Sequence, residues 1–231
     1  TVKYENNIKP STEENKAKAI ITGKGNYTGS TQIQFTITAK NIADTDKVTV
    51  DFNQFNGYKA AGYTPIPKIK YNGKTLKNGT DFEITCMKLE DYSSEEGIPV
   101  KGGKLVDSGY YKVIVSGKGN YAGTIELPYQ IAPEGYKSLA KASIKIDKNY
   151  KKVTYTGKPV NLSFAVKVSF GKDTLIEGKD YQIVYPENNI DIGKKTVIVR
   201  ALHTSGMCYG EKSFTSKPFC LKYSQRYCVG K

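Results

Sequence analysis

A five-residue stem, Gly-Lys-Gly-Asn-Tyr, constrains the fold of this chain most, because it occurs twice: at Gly23–Tyr27 and, 94 residues on, at Gly117–Tyr121. An apolar run precedes each copy. A segment of alternating apolar and polar residues follows each copy and ends in Phe35-Thr36-Ile37 or in Tyr129-Gln130-Ile131. Self-similarity at a period near 90 residues is typical of tandem domains of one kind. The repeat therefore predicts architecture more directly than it predicts an activity.

The composition indicates an all-β protein. The chain has no Trp and has 18 Tyr, and Thr, Val, Ile and Tyr dominate its periodic segments, with Gly, Asn, Asp and Pro between them. This pattern is typical of short strands joined by tight turns. No apolar stretch approaches the roughly 20 residues that span a bilayer, so we expect no membrane insertion.

The formal charge of +13 has two interpretations. It can attract anionic polymers such as teichoic acids or acidic glycans, or it can be a lysine-rich surface that blunts strand edges and keeps the protein in solution. The lysines are scattered evenly, which favours the second interpretation. Only Arg200 and Arg226 are arginines, and bidentate recognition of phosphates and bases favours Arg. We therefore expect no nucleic-acid partner.

The turn signatures divide the chain into four segments. Residues 40–132 and 138–219 are predicted as complete repeats, in which Thr75-Leu76 and Thr174-Leu175 correspond at an offset of 99 residues. Residues 1–39 match only the C-terminal half of a repeat. Half a sandwich cannot cover its own apolar face, so these strands either complete a domain with upstream sequence or pair with another part of this chain or with a second copy. A truncated or processed precursor is the simpler expectation. Residues 220–231 form a tail.

Four of these signatures, in one order, resemble the bacterial immunoglobulin-like repeats of Gram-positive (Firmicutes) cell-surface proteins. They are Tyr155–Pro159, Gly178–Tyr181, Tyr185 with Asn188-Asn189, and the GKGNY hairpin. The resemblance implies tandem Ig-like antiparallel β-sandwiches, an extracellular setting at the cell surface, and a stalk or adhesion role without catalysis. Some Gram-positive sandwiches also contain Lys–Asn or Lys–Asp isopeptide bonds, which an intact mass would reveal.

The repeated stem itself is predicted to be a structural hairpin turn. Glycine and asparagine tolerate the positive φ of tight hairpins, and the Tyr that follows can fold back over the sandwich edge. A phosphate-binding loop needs GxxxxGK[ST] between a strand and a helix, whereas here strands lie on both sides. The predicted structural-turn residues are Gly23, Gly25, Asn26, Tyr27, Gly117, Gly119, Asn120 and Tyr121.

Catalysis is hard to build from these residues. His203 is the only histidine, and it lies in an altered hairpin tip with Ser205 and Cys208. A Cys/His nucleophile pair is conceivable there, but it would need an orienting group and a pocket. The paired carboxylates lie in loops rather than across a cleft. We therefore predict no enzyme activity, no metal and no cofactor.

The four cysteines are Cys86, Cys208, Cys220 and Cys228, an even number that permits disulfides in an extracellular chain. Cys208 and Cys220 would lie roughly 40 Å apart along one strand at ~3.3 Å per residue, beyond disulfide reach. Cys220 and Cys228 enclose a short segment that closes easily. We predict a Cys220–Cys228 disulfide, with Cys86 and Cys208 unpaired.

The tyrosines have a structural and a functional interpretation. Exposed Tyr rings can stack on sugars, or Tyr can replace the absent Trp in the core. Phe52 alternates in phase with Val48 and Val50, which favours the core. If the chain binds a ligand, we expect it at loop 86–109 or tip 202–209. The candidate ligand-binding residues are Tyr58, Tyr63, Tyr92, His203 and Tyr209.

Two functions remain open at this stage. The first is a non-catalytic stalk or spacer of a secreted or wall-attached bacterial protein, in contact with neighbouring repeats of the same chain. The alternative is a module that binds carbohydrate or wall polymer within a larger extracellular enzyme. The partner would be a cell-wall polymer, a host glycan or a host protein. Aromatic rings turned into the core favour the first function, and a row of rings on one sheet face favours the second.

Overall fold

The computed structural model describes residues 1–147, 158–159, 161–162, 165–187 and 195–216. The predicted Cys220–Cys228 disulfide, the tail 220–231 and the Asn188-Asn189 turn lie outside these residues. The predicted all-β fold is confirmed: the described residues form antiparallel ladders and contain no α-helix. Within the same ranges, no helix has the length and apolarity of a membrane span.

The described residues contain strands and two short 3-10 turns, Lys101–Gly103 and Leu139–Lys141. The strands are β1 (Val2–Glu5), β2 (Ala17–Thr22), β3 (Ser30–Phe35), β4 (Lys40–Asn41), β5 (Val48–Asp51), β6 (Phe55–Asn56), β7 (Lys68–Tyr71), β8 (Lys74–Thr75), β9 (Phe82–Leu89), β10 (Gly97–Pro99), β11 (Gly109–Gly117), β12 (Tyr121–Ala122), β13 (Thr124–Ile131), β14 (Lys137–Ser138), β15 (Ser143–Ile146), β16 (Val166–Phe170), β17 (Asp173–Thr174), β18 (Tyr181–Val184), β19 (Lys195–Ala201), β20 (Cys208–Tyr209) and β21 (Glu211–Ser216).

Contacts divide the chain into two compact units. Unit 1 comprises Thr1–Asn53, Gly62–Val106 and Tyr110–Tyr129. Unit 2 comprises Gln54–Ala61, Asp107–Gly109 and the chain from Gln130 onward.

Unit 1 contains three antiparallel sheets. Their strand orders are β1-β2-β3, β5-β7-β8 and β10-β9-β11-β13, and the strand pair β4–β12 is parallel. Its hydrophobic core packs the second of these sheets against the third. The fully buried members of the core are Ile42, Ile69, Leu76, Phe82, Val115 and Tyr121. Two layers of sheet closed on an apolar core satisfy the basic requirement of a β-sandwich.

The described part of unit 2 repeats the second sheet of unit 1, the β9-β11-β13 part of the third and the parallel pair. Its sheets have the orders β15-β16-β17 and β18-β19-β21, and the strand pair β14–β20 is parallel. Its core residues include Leu139, Val168, Leu175, Tyr181 and Val199.

The hydrogen bonds repeat at the offset of 99 residues seen in the sequence. The N–H of Leu76 donates to the Ile69 carbonyl and that of Leu175 to the Val168 carbonyl, both at 2.9 Å. The Oδ2 atom of Asp81 accepts the Lys77 N–H at 2.9 Å. The Oδ2 atom of Asp180 accepts the Ile176 N–H at 2.8 Å. These carboxylates therefore fix equivalent turns.

The two GKGNY turns share one backbone geometry. The N–H of Gly23 donates to the Gly29 carbonyl at 3.0 Å, and that of Gly117 donates to the Gly123 carbonyl at 2.9 Å. The positive φ angles lie at Gly25 and Gly119, near 70°, and at Gly29 and Gly123, near 90°. Neither Asn26 nor Asn120 has a positive φ, so the expectation that the asparagines would share this conformation was wrong.

Burial agrees with the expected core only in part. Val48 packs against the core of unit 1, and Phe52 is half-buried with its ring 5.6 Å from that of Tyr129, but Val50 between them is exposed on the edge strand β5. Four tyrosines lie fully in the cores: Tyr111, Tyr121, Tyr129 and Tyr181. They supply the bulk that Trp supplies in many sandwiches.

Candidate functional site

A groove on unit 2 is the best candidate for a ligand site in that unit. It lies between the segment that leads into β14, the β16–β17 turn and the altered tip before β20. Its lining combines rings, a thioether and charges: Glu134, Gly135, Tyr136, Lys137, Phe170, Asp173, Gly206 and Met207. Apolar surface with a few convergent polar groups is what small-molecule sites provide.

Short pieces of regular structure hold these side chains in place. Lys137 pairs with Cys208 in the parallel strand pair β14–β20, and its N–H donates to the Met207 carbonyl at 2.9 Å. Phe170 and Asp173 are direct partners across the β16–β17 hairpin. Three separate backbone segments thus meet around Lys137.

Lys137 links the charged and the aromatic sides of the groove. Its Nζ atom lies 3.0 Å from Asp173 Oδ2 and 5.6 Å from the centroid of the Phe170 ring. Both charged side chains are more than half exposed, so the ion pair adds at most about 1 kcal/mol to stability. The pair is therefore well suited to exchange its mutual contact for hydrogen bonds to a ligand.

The lysine of unit 1 that is equivalent to Lys137 lies over two aromatic rings. There Lys40 pairs with Tyr121 in the strand pair β4–β12. Lys40 Nζ lies 5.7 Å from the centroid of Tyr71 and 5.6 Å from that of Tyr121. The two rings contact each other edge to face, with centroids 5.7 Å apart. Unit 1 thus places two rings beneath one lysine.

Unit 2 keeps the lysine and the first ring but lacks the second ring. Lys137 and Phe170 correspond to Lys40 and Tyr71, while the strand position of Tyr121 is taken by Cys208. The groove in unit 2 lies beside the remaining ring. Cys208 is itself buried and does not line the groove, so the two units differ here in the side chain that pairs with this lysine.

Cys208 is a structural thiol. It is buried, its Sγ atom lies 3.2 Å from Ser205 Oγ, and it donates to the Asp180 carbonyl at 3.4 Å. Burial raises the pKa of Cys208, although the Ser205 hydrogen bond opposes the shift. His203, by contrast, is exposed. A buried thiol with a raised pKa is a poor nucleophile, so the geometry does not support a Cys/His pair.

The other free cysteine lies in unit 1. Cys86 is buried in β9, and burial raises its pKa. It neighbours the tyrosine cluster of that unit, where the Tyr129 ring lies 6.4 Å from Tyr63 and 6.5 Å from Tyr111. Burial also raises the pKa of Tyr129. This cluster is core packing, since its polar atoms are withdrawn from water.

The five predicted ligand residues lie elsewhere than the groove. Tyr58, His203 and Tyr209 belong to unit 2, and Tyr63 and Tyr92 belong to unit 1. Tyr92 is exposed in the 86–109 insertion, and its ring lies 5.8 Å from the Tyr110 ring. Tyr209 lies against Gly57, where an added Cβ would come within 2.8 Å of its hydroxyl oxygen. None of the five lines the groove.

The acidic residues of the predicted loops stabilise turns. Asp44 Oδ2 accepts a hydrogen bond from Lys47 Nζ at 2.8 Å, and this bond lowers the pKa of Asp44. Asp91 accepts hydrogen bonds from Ser93 and Ser94, which lower its pKa. Across the described ranges, no group of three His, Cys, Asp or Glu side chains is placed to hold a metal ion.

Comparison with known proteins gives no relative. The chain matches no protein-family model, and no curated protein matches it significantly. Functional inference therefore rests on the geometry of this chain.

Proposed function

We propose that the chain is a non-catalytic structural segment, a stalk or spacer, of a secreted or wall-attached bacterial surface protein. In this proposal residues 40–132 and 138–219 are tandem Ig-like repeats. The observation that carries it is the recurrence of one set of ladders and turn hydrogen bonds at an offset of 99 residues. Repetition of a scaffold is what a spacer requires, whereas an active site requires one assembled constellation.

Two further observations support the spacer role. Tyr111, Tyr121, Tyr129 and Tyr181 lie in the cores, as the bulky residues of a scaffold would, although other tyrosines such as Tyr58 and Tyr92 are exposed. The carboxylates of Asp44 and Asp91 and the Cys208 thiol have structural partners within their own units. The extracellular location follows from the resemblance to Gram-positive surface repeats and remains part of the proposal.

Single-molecule force spectroscopy tests the spacer function. Two independently folded repeats of about 90 residues each should unfold in two steps, each releasing about 30 nm of chain at ~3.4 Å per residue. An isopeptide bond within a repeat would shorten its step. Unfolding in one event, or at forces no higher than those that extend an unfolded chain, would refute a spacer that resists tension.

The groove on unit 2 favours the alternative function, binding of a cell-wall polymer or host glycan. Tyr136, Met207 and the Lys137–Asp173 pair offer an apolar face beside hydrogen-bonding groups, which is the chemistry that sugar rings require. The lysine-rich surface alone would also retain anionic polymers, but through screened charge attraction.

A pull-down separates these alternatives. The chain is incubated with insoluble peptidoglycan, with and without teichoic acid, and with plant and mucin polysaccharides at low and high salt. Retention at high salt that Tyr136→Ala abolishes and Tyr92→Ala preserves would establish the binding module. Retention that salt abolishes would reflect lysine charge alone, and absence of retention leaves the spacer function.

A further inference from the structure

The N-terminal sheet β1-β2-β3 has one apolar face. Direct cross-strand partners share a face, and the ladders align Val2 with Ile21 and Tyr4 with Ala19 and Ile33. Phe35 faces Ala17 on the same side. The opposite face is mostly polar and carries Lys3, Glu5, Lys18, Gln32 and Gln34. The sheet is thus patterned to bury one side only.

That apolar face is exposed. Val2 and Tyr4 are each 55% exposed, Ile33 is 57% exposed, and Ile21 and Phe35 are each 39% exposed. Ala17, at the end of β2, is the buried exception. A contiguous patch of large apolar side chains on one sheet face marks a surface that another element covers.

The β11–β13 hairpin shows these positions covered. It carries the same GKGNY stem and the same turn hydrogen bond, so residues correspond at an offset of 94. Val113 and Val115, which correspond to Ala19 and Ile21, are 0% exposed. Tyr121 and Tyr129 are each 5% exposed, whereas Tyr27, which corresponds to Tyr121, is 79% exposed. The apolar face of the hairpin is therefore buried in β11–β13 and exposed in β2–β3.

The element that covers β11–β13 is the sheet formed by the preceding residues of the repeat. Ile42, Val48, Ile69, Tyr71 and Leu76 close the core over it. Lys40 and Tyr71 receive the Tyr121 ring. This front half thus supplies both the apolar layer and the cation that the hairpin requires.

We infer that β1-β2-β3 is the acceptor half of a third sandwich. Its occupant is a front-half β-sheet with the residue pattern of 40–82. The register is the same in both hairpins: Val2 pairs with Ile21 as Ile84 pairs with Val115, so such a sheet would lead into β1 as residues 40–82 lead into β9. The inference does not depend on the spacer function, because it concerns how one exposed face is covered.

A second copy of this sheet is a poorer occupant than a front half. Tyr27 needs a lysine and a ring placed as Lys40 and Tyr71 are for Tyr121. The lysines of the sheet, Lys3 and Lys18, lie on its polar face. Two copies packed face to face would therefore bury apolar side chains, but their strands would offer Tyr27 no cation placed as Lys40 is for Tyr121.

An extended chain tests the inference. Residues 40–82 of this protein are fused directly to Thr1 of the full chain, and hydrogen exchange of β2 and β3 is followed by mass spectrometry. We expect the amides of both strands to exchange at least about 100-fold more slowly in the fusion than in the original chain, because covered strands open only by larger unfolding. Unchanged exchange would overturn the inference.

Two lysine substitutions on adjacent positions of β3 supply the matched controls. Ile33→Lys places a charge on the apolar face, and Gln32→Lys places the same charge on the polar face. In the fusion, Ile33→Lys should abolish the gain in protection and Gln32→Lys should keep it; equal effects would overturn the inference. Neither should alter exchange in the original chain, where both positions are exposed. A discrete dimer of the original chain that Ile33→Lys dissociates would instead identify a second copy as the occupant.

Discussion

Replacement of Phe82 by alanine should destabilise unit 1 strongly. Phe82 is 1% exposed and belongs to the core of that unit. Truncation removes its transfer free energy and leaves a cavity between packed sheets, which together cost about 3–5 kcal/mol for a buried Phe. Domains are stable by only about 5–15 kcal/mol, so the variant should lose at least a fifth of its free energy of unfolding.

The measurement is hydrogen exchange under native conditions, read on peptides from β9 and β11. A loss of 3 kcal/mol corresponds to exchange more than about 100-fold faster where opening is global. Phe35→Ala is the matched control, because Phe35 is the same residue type at a 39% exposed position. Its truncation should cost about 1 kcal/mol or less. Equal costs at the two positions would refute the assignment of Phe82 to a closed core.

Three further predictions concern single groups. Cys86 and Cys208 should be alkylated at least about 100-fold more slowly in the native chain than in urea, because burial raises their pKa; peptide mapping that finds rapid native labelling would contradict this. Burial raises the pKa of Tyr181 to about 12, so the stability it contributes is complete below about pH 10 and is lost towards pH 12. The free energy of unfolding should fall by on the order of 2–3 kcal/mol for this reason. Urea denaturation of Tyr181→Phe between pH 10 and pH 12 should lack this part of the fall. Gly29→Ala and Gly123→Ala share the cost of a positive φ, about 1–2 kcal/mol. Only Gly123→Ala adds a clash with Asn41 Oδ1, so equal melting temperatures would argue against that contact.

The repeated stem predicted the hairpins well because it fixes a turn and the strands that must flank it. The apolar run before Gly117–Tyr121 and the alternating segment that ends at Ile131 correspond to β11 and β13, Gly109–Gly117 and Thr124–Ile131. Local turn chemistry sets these elements, and it is readable in one chain. The two-residue parallel pairs β4–β12 and β14–β20 were not predictable, since two residues carry no period and long-range packing brings the strands together.

The groove could not be predicted for a related reason. Its lining comes from separate backbone segments, which the pairing of Lys137 with Cys208 and the β16–β17 hairpin bring together. The sequence did contain one signal, since the tip 202–208 had replaced the GKGNY stem. That signal marked the place, but our interpretation assigned weight to His203 and Tyr209 rather than to Tyr136 and Phe170.

One position near the hairpin tip has three different environments in this chain. Tyr121 lies beneath Lys40, Tyr27 is exposed with its sheet uncovered, and Cys208 is a buried thiol that follows Met207 of the groove beside Phe170. The ladders around Tyr121 and Cys208 keep the same strand order in both units. A change at this position therefore alters what the surface can contact without a change in the scaffold. In a protein built from one repeated fold, such a position is where binding can diverge while the stability of each sandwich is retained.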